Sequence, residues 1–356
     1  MFKIKARLIP AVFLILFVFA GNMHAQVPIT AVRAHSLGPE QIGNLTPVIE
    51  PPDNPQTVDK ILLGKKLYFD TRLSADNSVS CATCHDPAMG WSDAGPTSKG
   101  INNQLGGRRA PPVSNSAYNL LQFWDGRSPS LEDQAKGPIA NPIEMGNTHV
   151  AMIRTVNDIP GYVEEFKQVF GSSPITVDQV AQAIAAFERT VVTTDSPFDR
   201  YVRGDLEALT PLEKKGLEIF NGKGHCTACH WGGHFSDGRF HNLGVAHTDP
   251  SNKDEGRFKV TNNPLDMGAF KTPTVRDAAL RAPFMHDGSE KTLEDVVRLY
   301  DRGGGPDKAN LDPLMVPLDL SENEVQALVA FMKRAMVSTN PEVSNVKPIP
   351  ASELPK

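Results

Sequence analysis

Cys81-Ala82-Thr83-Cys84-His85 and Cys226-Thr227-Ala228-Cys229-His230 are two copies of one pentapeptide, and they hold every cysteine of the chain. Cys-x-x-Cys-His is the attachment signature of c-type haem: two thiols add to the porphyrin vinyl groups, and the adjacent histidine offers a ring nitrogen to iron. Four cysteines in an exported chain would ordinarily suggest two disulfides, but this spacing argues otherwise. Zinc would need further ligands at matching spacing, and none are so arranged. The two haem histidines stand 145 residues apart, which suits one haem per domain.

At 356 residues, 40% hydrophobic and 22% charged, the chain has room for two domains with ordinary cores, which excludes a disordered or collagenous protein. It opens on Lys3, Lys5 and Arg7, an apolar run from Leu8 to Ala20, and then Gly21 to Ala25. That pattern reads as a secretory signal peptide over residues 1–25. The run is too short to span a bilayer, so a soluble periplasmic protein is expected. Removing the three leader cations takes the net charge from −5 to −8, which makes nucleic acid an unsuitable partner.

Strand-like alternation is scarce and helix starts are plentiful. Thr176 to Gln179, Thr210 to Glu213 and Ser321 to Glu324 are capping boxes, and Ser128-Pro129 and Thr292 offer further caps. The spacing predicts helices over 58–68, 129–136, 161–170, 177–189, 211–220, 293–300 and 322–336. With 29 Pro and 28 Gly, long irregular loops must join them. The expected fold is mainly α, as two cytochrome c-like haem domains. Residues 26–194 form the N-terminal haem domain, 195–337 the C-terminal one, and 338–356 a Pro-rich tail or surface arm. The crossing between domains is placed at Asp195 to Gly204.

A carrier haem wants a sixth ligand that keeps small molecules off iron, whereas a catalytic haem wants an open face near proton-moving groups. No histidine lies between His85 and His149, and Met89 is too near the proximal histidine to cross over easily. The first haem therefore reads as five-coordinate.

These residues, with Phe123-Trp124-Asp125-Gly126-Arg127, Gln134, Pro142-Ile143-Glu144-Met145, Phe270 to Arg276 and Phe284-Met285-His286-Asp287-Gly288, make the chain resemble the bacterial dihaem cytochrome c peroxidase and MauG superfamily over nearly all of its mature length. The resemblance implies that the N-terminal haem reacts with hydrogen peroxide and the C-terminal haem handles electrons. It implies that Trp124 lies between the two haems, and that Glu144 and Gln134 stand over the peroxidatic iron with Pro138 beside them. Cleaving a peroxide O–O bond needs a proton taken from one oxygen and returned to the other, which a partly desolvated carboxyl can do and an amide cannot. Read alone, Glu144 would be a helix-start or surface acid, Gln134 a solvated helix residue and Trp124 a core aromatic.

Two departures from the peroxidase pattern indicate the MauG-like subclass. The loop that carries a distal histidine in those peroxidases offers Ile101 here, which leaves the first haem open without activation. The Met that ligates their second haem, fourteen residues past the histidine of the His-Asp-Gly segment, is replaced by Tyr300. A hard phenolate oxygen favours the more oxidised iron states, whereas thioether sulfur favours the reduced one. Met267, Met285 and Met315 remain alternative sulfur ligands. The resemblance also implies one calcium ion held by the carbonyls of Arg281 and Pro283, but Arg109 stands where that site uses an asparagine, and a guanidinium cannot ligate calcium. The surface tryptophan that MauG places before its second motif is absent, with Gly224 and His225 in its place and Trp231 beyond the motif.

The expected activity is oxidation of a protein substrate by peroxide through both haems. An ordinary cytochrome c peroxidase, fed by a small cytochrome or cupredoxin, is the alternative, and a non-enzymatic dihaem carrier is a second. Neither the substrate nor the oligomeric state is legible.

Overall fold

Threonine and serine side chains start the main helices. Thr57 caps α1 (Val58–Phe69), Thr176 caps α6 (Val177–Glu188), and Thr210 caps α8 (Pro211–Asn221). Thr292 caps α10 (Leu293–Asp301) and Ser321 caps α11 (Glu322–Ala330). In the last four, the side chain three residues into the helix bonds back to the cap, so two otherwise orphaned N–H groups are satisfied at each start. The computed structural model describes residues 42–171, 174–245, 253–344 and 346–356, so the leader read at residues 1–25 lies outside it. Among the described residues no helix is long and apolar enough to cross a membrane.

Among the described residues the remaining helices are α2 (Cys81–Cys84), α3 (Leu131–Ala140), α4 (His149–Asn157), α5 (Pro160–Phe170), α7 (Pro197–Val202), α9 (Phe258–Thr261) and α12 (Pro341–Ser344). Among the described residues, sheet is limited to a two-residue antiparallel pair, β1 (Phe240–His241) with β2 (Phe270–Lys271). The fold is mainly α, as expected. The helix expected over 322–336 is α only to Ala330 and passes into a π-helical turn at Phe331–Ala335, and two further readings changed. The cap of α3 is Ser130, which accepts from Asp133 N, while the Ser128 hydroxyl bonds the Asp133 carboxylate. The segment read as a crossing contains α7, whose Phe198 is buried against Phe235 and Phe331.

Both cores lie within the compact unit Gly38–Lys356. The first gathers Leu63 and Leu67 of α1, Val180, Ile184 and Phe187 of α6, and Tyr68, Trp91, Tyr162 and Phe166. The second gathers Phe198, Ile219, Phe220, Phe235, Val325, Leu328 and Phe331. Each such side chain removed from water contributes roughly 1.5–3 kcal/mol. Each core is organised by a helix pair that crosses at a glycine. A Cβ on Gly64 of α1 would lie 1.8 Å from the Ala183 carbonyl oxygen of α6, and one on Gly216 of α8 would lie 2.1 Å from that of Ala327 in α11. The same device thus appears once before each haem motif. Gly64→Ala and Gly216→Ala are each expected to destabilise the loaded protein by about 1–3 kcal/mol, the usual cost of overpacking, seen as a lower thermal midpoint.

The C-terminal segment runs back onto the first core. Val343 is buried there and its carbonyl accepts from Trp91 Nε1 at 3.2 Å. The carbonyls of Pro355 and Lys356 accept from Arg72 Nη1 at 3.0 Å and Gly161 N at 2.9 Å.

Candidate dihaem sites

In the first motif, Ser80 N donates to Thr83 Oγ1 at 2.9 Å, fixing the turn of α2 that sets Cys81 and Cys84 beside the adjoining His85. Tyr68 Oη donates to the His85 carbonyl at 2.7 Å. The ring of His85 lies beside the carbonyls of Pro111 and Trp91, and its buried Nδ1 completes no hydrogen bond. In the second motif, His225 takes the left-handed conformation that opens the short turn Cys226–Ala228. His230 Nδ1 lies 2.9 Å from the Phe235 carbonyl oxygen, which fixes the tautomer and leaves Nε2 as the ring nitrogen with a lone pair. None of the four cysteines is in a disulfide. Burial pushes Cys84 up to about 11 and Cys226 up to about 12.

Above the first motif, the loop 97–105 folds back against the Pro142 to Met145 segment. Ile101 is buried, and its N–H donates to the Glu144 carbonyl at 2.7 Å. Gly100 permits this approach, since a Cβ there would lie 2.2 Å from the Ile143 carbonyl oxygen. Lys99 O receives the Cys84 thiol at 3.6 Å. The Glu144 carboxyl is near enough that its charge pushes Cys84 up further. Burial raises the pKa of Glu144, while the charge of Arg127 and a 2.8 Å bond from Asn141 Nδ2 to Oε1 oppose that rise. Gln134 is half-buried on α3, and Pro138 lies within the same helix.

A cavity opens at the second motif. It is lined by Cys226, Cys229 and His230, and also by Trp124, Tyr300, Met285, Met315, Arg109, Arg281 and Pro283. Met267 and Trp231 are not among its lining. Tyr300 stands near the end of α10, and burial pushes its phenol up, as do the thiols of Cys229 and Cys226. Trp124 Nε1 donates to the Arg109 carbonyl at 2.9 Å, and the Trp124 carbonyl accepts from Lys271 N at 2.8 Å. The indole meets His286 edge-on at 6.5 Å, and His286 stacks on Phe270 at 3.6 Å.

Residues 58–207 match the family described as di-haem cytochrome c peroxidase. The chain is 38% identical to the cytochrome-c peroxidase IdrP1 of Pseudomonas sp. strain SCT, over 88% of this chain and 90% of that protein. It is 39% identical to the methylamine utilization protein MauG of Methylorubrum extorquens, over 87% and 85%. Among solved structures, a MauG-like protein associated with microbial copper homeostasis superposes with a TM-score of 0.76 at 32% identity, over 83% of this chain and 94% of that one.

This chain belongs to the di-haem cytochrome c peroxidase family.

Membership makes it a haem-dependent oxidoreductase, with two c-type haems implied by the family. Both motifs fit that cofactor: unbridged cysteines stand beside buried imidazoles, and the second faces a cavity whose wall is largely aliphatic and aromatic. The residues do not fit calcium. Arg109 is 4% exposed, and its Nη2 donates to the Asp93 carbonyl at 2.5 Å and pairs with the Asp93 carboxylate at 3.2 Å. The guanidinium of Arg281 is close enough to feel its charge. A calcium ion, which takes six to eight oxygens, would meet two buried cations and an acid already paired.

Sequence reading missed three features. Asn141 holds Glu144, and its Oδ1 also accepts from Ile143 N at 3.2 Å, so Asn-Pro-x-Glu is a self-bracing turn. His241, in the wall of the second cavity, is clamped between Asp312 at 2.6 Å and Asp237 at 3.0 Å. Cys229 lies near this clamp, within the reach a metal ion would need. Lys271 is buried in the same wall. Only the lysine lay within a quoted motif, and nothing in its spacing revealed its burial.

Proposed function

We propose that this protein is a periplasmic dihaem oxidoreductase of the MauG-like kind, which takes hydrogen peroxide at the Cys81 to His85 haem and oxidises a protein substrate through the Cys226 to His230 haem. The observation that carries the reading is Tyr300 in the wall of the second cavity, together with Ile101 buried at the place of a distal histidine. When bound, the haems supply peroxide reduction and storage of oxidising equivalents.

His85 and His230 would each hold a haem iron, and Tyr300 would supply a further ligand at the second site. Glu144 Oε1 is held by Asn141, which leaves Oε2 to accept a proton from bound peroxide and deliver it to the departing oxygen. Gln134 orients peroxide or water without titrating. Trp124 is fixed by its Nε1–H and by its own carbonyl, as an electron relay must be. Because an amide carbonyl is not a base at neutral pH, the indole proton stays in place when an electron crosses.

Met285 and Met315 line the same cavity and support the second reading, a cytochrome c peroxidase fed by a small cytochrome or cupredoxin. Electron paramagnetic resonance of the isolated ferric protein separates the two. One high-spin and one low-spin haem are expected. Two low-spin signals would overturn the open first site and point to a peroxidase that needs reductive activation.

A further inference from the structure

The second cavity carries an imbalance of charge that the ligand assignments do not use. Arg109, Lys271 and Arg281 all line it, and they are 4%, 6% and 7% exposed. Lys271 Nζ donates to the Leu121 carbonyl at 2.9 Å. Arg281 donates to the carbonyls of Arg276 and Thr274, each at 2.7 Å, and to Ser114 Oγ at 3.5 Å. Neither cation contacts a carboxylate among the described residues. Arg109 has Asp93, but its Nη1 is buried without a hydrogen bond. Among the described residues the single acid in the lining is Asp312, and His241 already holds it at 2.6 Å.

Burying cations without acids is costly unless the occupant brings negative charge. Burial indeed pushes Lys271 down to about 7 and Arg281 down to about 10. The rest of the lining, including Phe220, Leu243, Val297, Leu314 and Leu328, suits a flat apolar ring. An occupant with an apolar body and carboxylates at one edge matches both parts, and a porphyrin is such a molecule.

We infer that Arg109, Lys271 and Arg281 form the receptor for the propionate carboxylates of the second haem, with the free Arg109 Nη1–H as one of its donors. This rests on the reading that Cys226 and Cys229 carry a haem. The same cations explain why calcium has no place beside Arg281 and Pro283: this wall binds anions. Charge-assisted bonds from guanidinium and ammonium to carboxylate are the strong ones, and positive charge beside a haem favours its reduced form.

The test is a crystal structure of the loaded protein, with redox titration of wild type, Lys271→Met and Arg109→Met. The expected structure places propionate oxygens within hydrogen-bond distance of Arg109 Nη1 and of Lys271 Nζ or Arg281. Both variants are expected to shift the second haem to lower potential, and Lys271→Met to leave the first unchanged, so that in this variant the first haem serves as the internal control; Arg109→Met also unpairs Asp93 beside the first motif. Propionates turned to solvent, or a second-haem potential unmoved in both variants, would overturn the receptor while leaving the haem assignment intact. Peptide mass spectrometry that finds no haem on Cys226 and Cys229 would overturn both.

Discussion

Glu144→Gln is expected to slow the reaction with hydrogen peroxide by roughly 10² to 10⁴, the span usual for a lost general acid–base group, with haem content unchanged. The substitution keeps the shape, and Asn141 retains a partner at Oε1. Only the titrating proton is lost. Stopped-flow mixing of the ferric protein with peroxide reads the rate. A value within threefold of wild type would make Glu144 a bystander.

The pH profile sharpens this test. The step needs the ionised carboxylate as proton acceptor, and burial raises the pKa of that group in the folded protein. The wild-type rate should therefore fall as pH drops through a value above the ordinary glutamate pKa of about 4.3. In Glu144→Gln that acid limb should disappear. The Arg127 charge opposes the rise, so Arg127→Leu is expected to move the limb to higher pH. A limb that persists unmoved in both variants would assign the titration elsewhere.

What the sequence made legible was what a short local pattern encodes. The haem motifs are pentapeptides, and the capping boxes at Thr176, Thr210 and Ser321 are tetrapeptides. Each depends on neighbours within one turn, and each is found in place. α4 went unread because Thr148 caps it without a glutamate or glutamine three residues on to complete a box. α7 was taken for a crossing because its six residues carry charged side chains alongside Phe198 and Tyr201.

The site was legible only where chemistry is intrinsic to the residue type. Glu144 could be named from the resemblance, but its brace by Asn141 and its cover by Ile101 depend on two loops meeting through Gly100. Gly64 and Gly216 are similar: each is an unremarkable helical glycine until the partner helix is known to pass within contact of it. The cationic wall assembles Arg109 with Lys271 and Arg281 from distant parts of the chain, and no one-dimensional spacing marks that meeting.

Tyr300→His should still give a folded protein with a six-coordinate second haem, because imidazole ligates well from a helix end that faces the same cavity. Losing the hard oxygen ligand should raise the second-haem potential. The peroxide-oxidised protein should then decay faster by roughly tenfold or more, a factor that corresponds to about 1.4 kcal/mol of lost stabilisation. Oxidation of the protein substrate should fall with it, while the reaction of peroxide at the first haem persists. Tyr300→Phe offers no ligand atom, so its second haem should become open or water-ligated, with a changed spin state by electron paramagnetic resonance. The two variants together separate ligation from packing, since a phenyl ring preserves the shape that α10 presents to the cavity. Wild-type ferric spectra and an undiminished lifetime in both would remove Tyr300 from the iron. Met285 or Met315, in the same wall, would then take the position, and the soft sulfur would move the protein to the cytochrome c peroxidase reading.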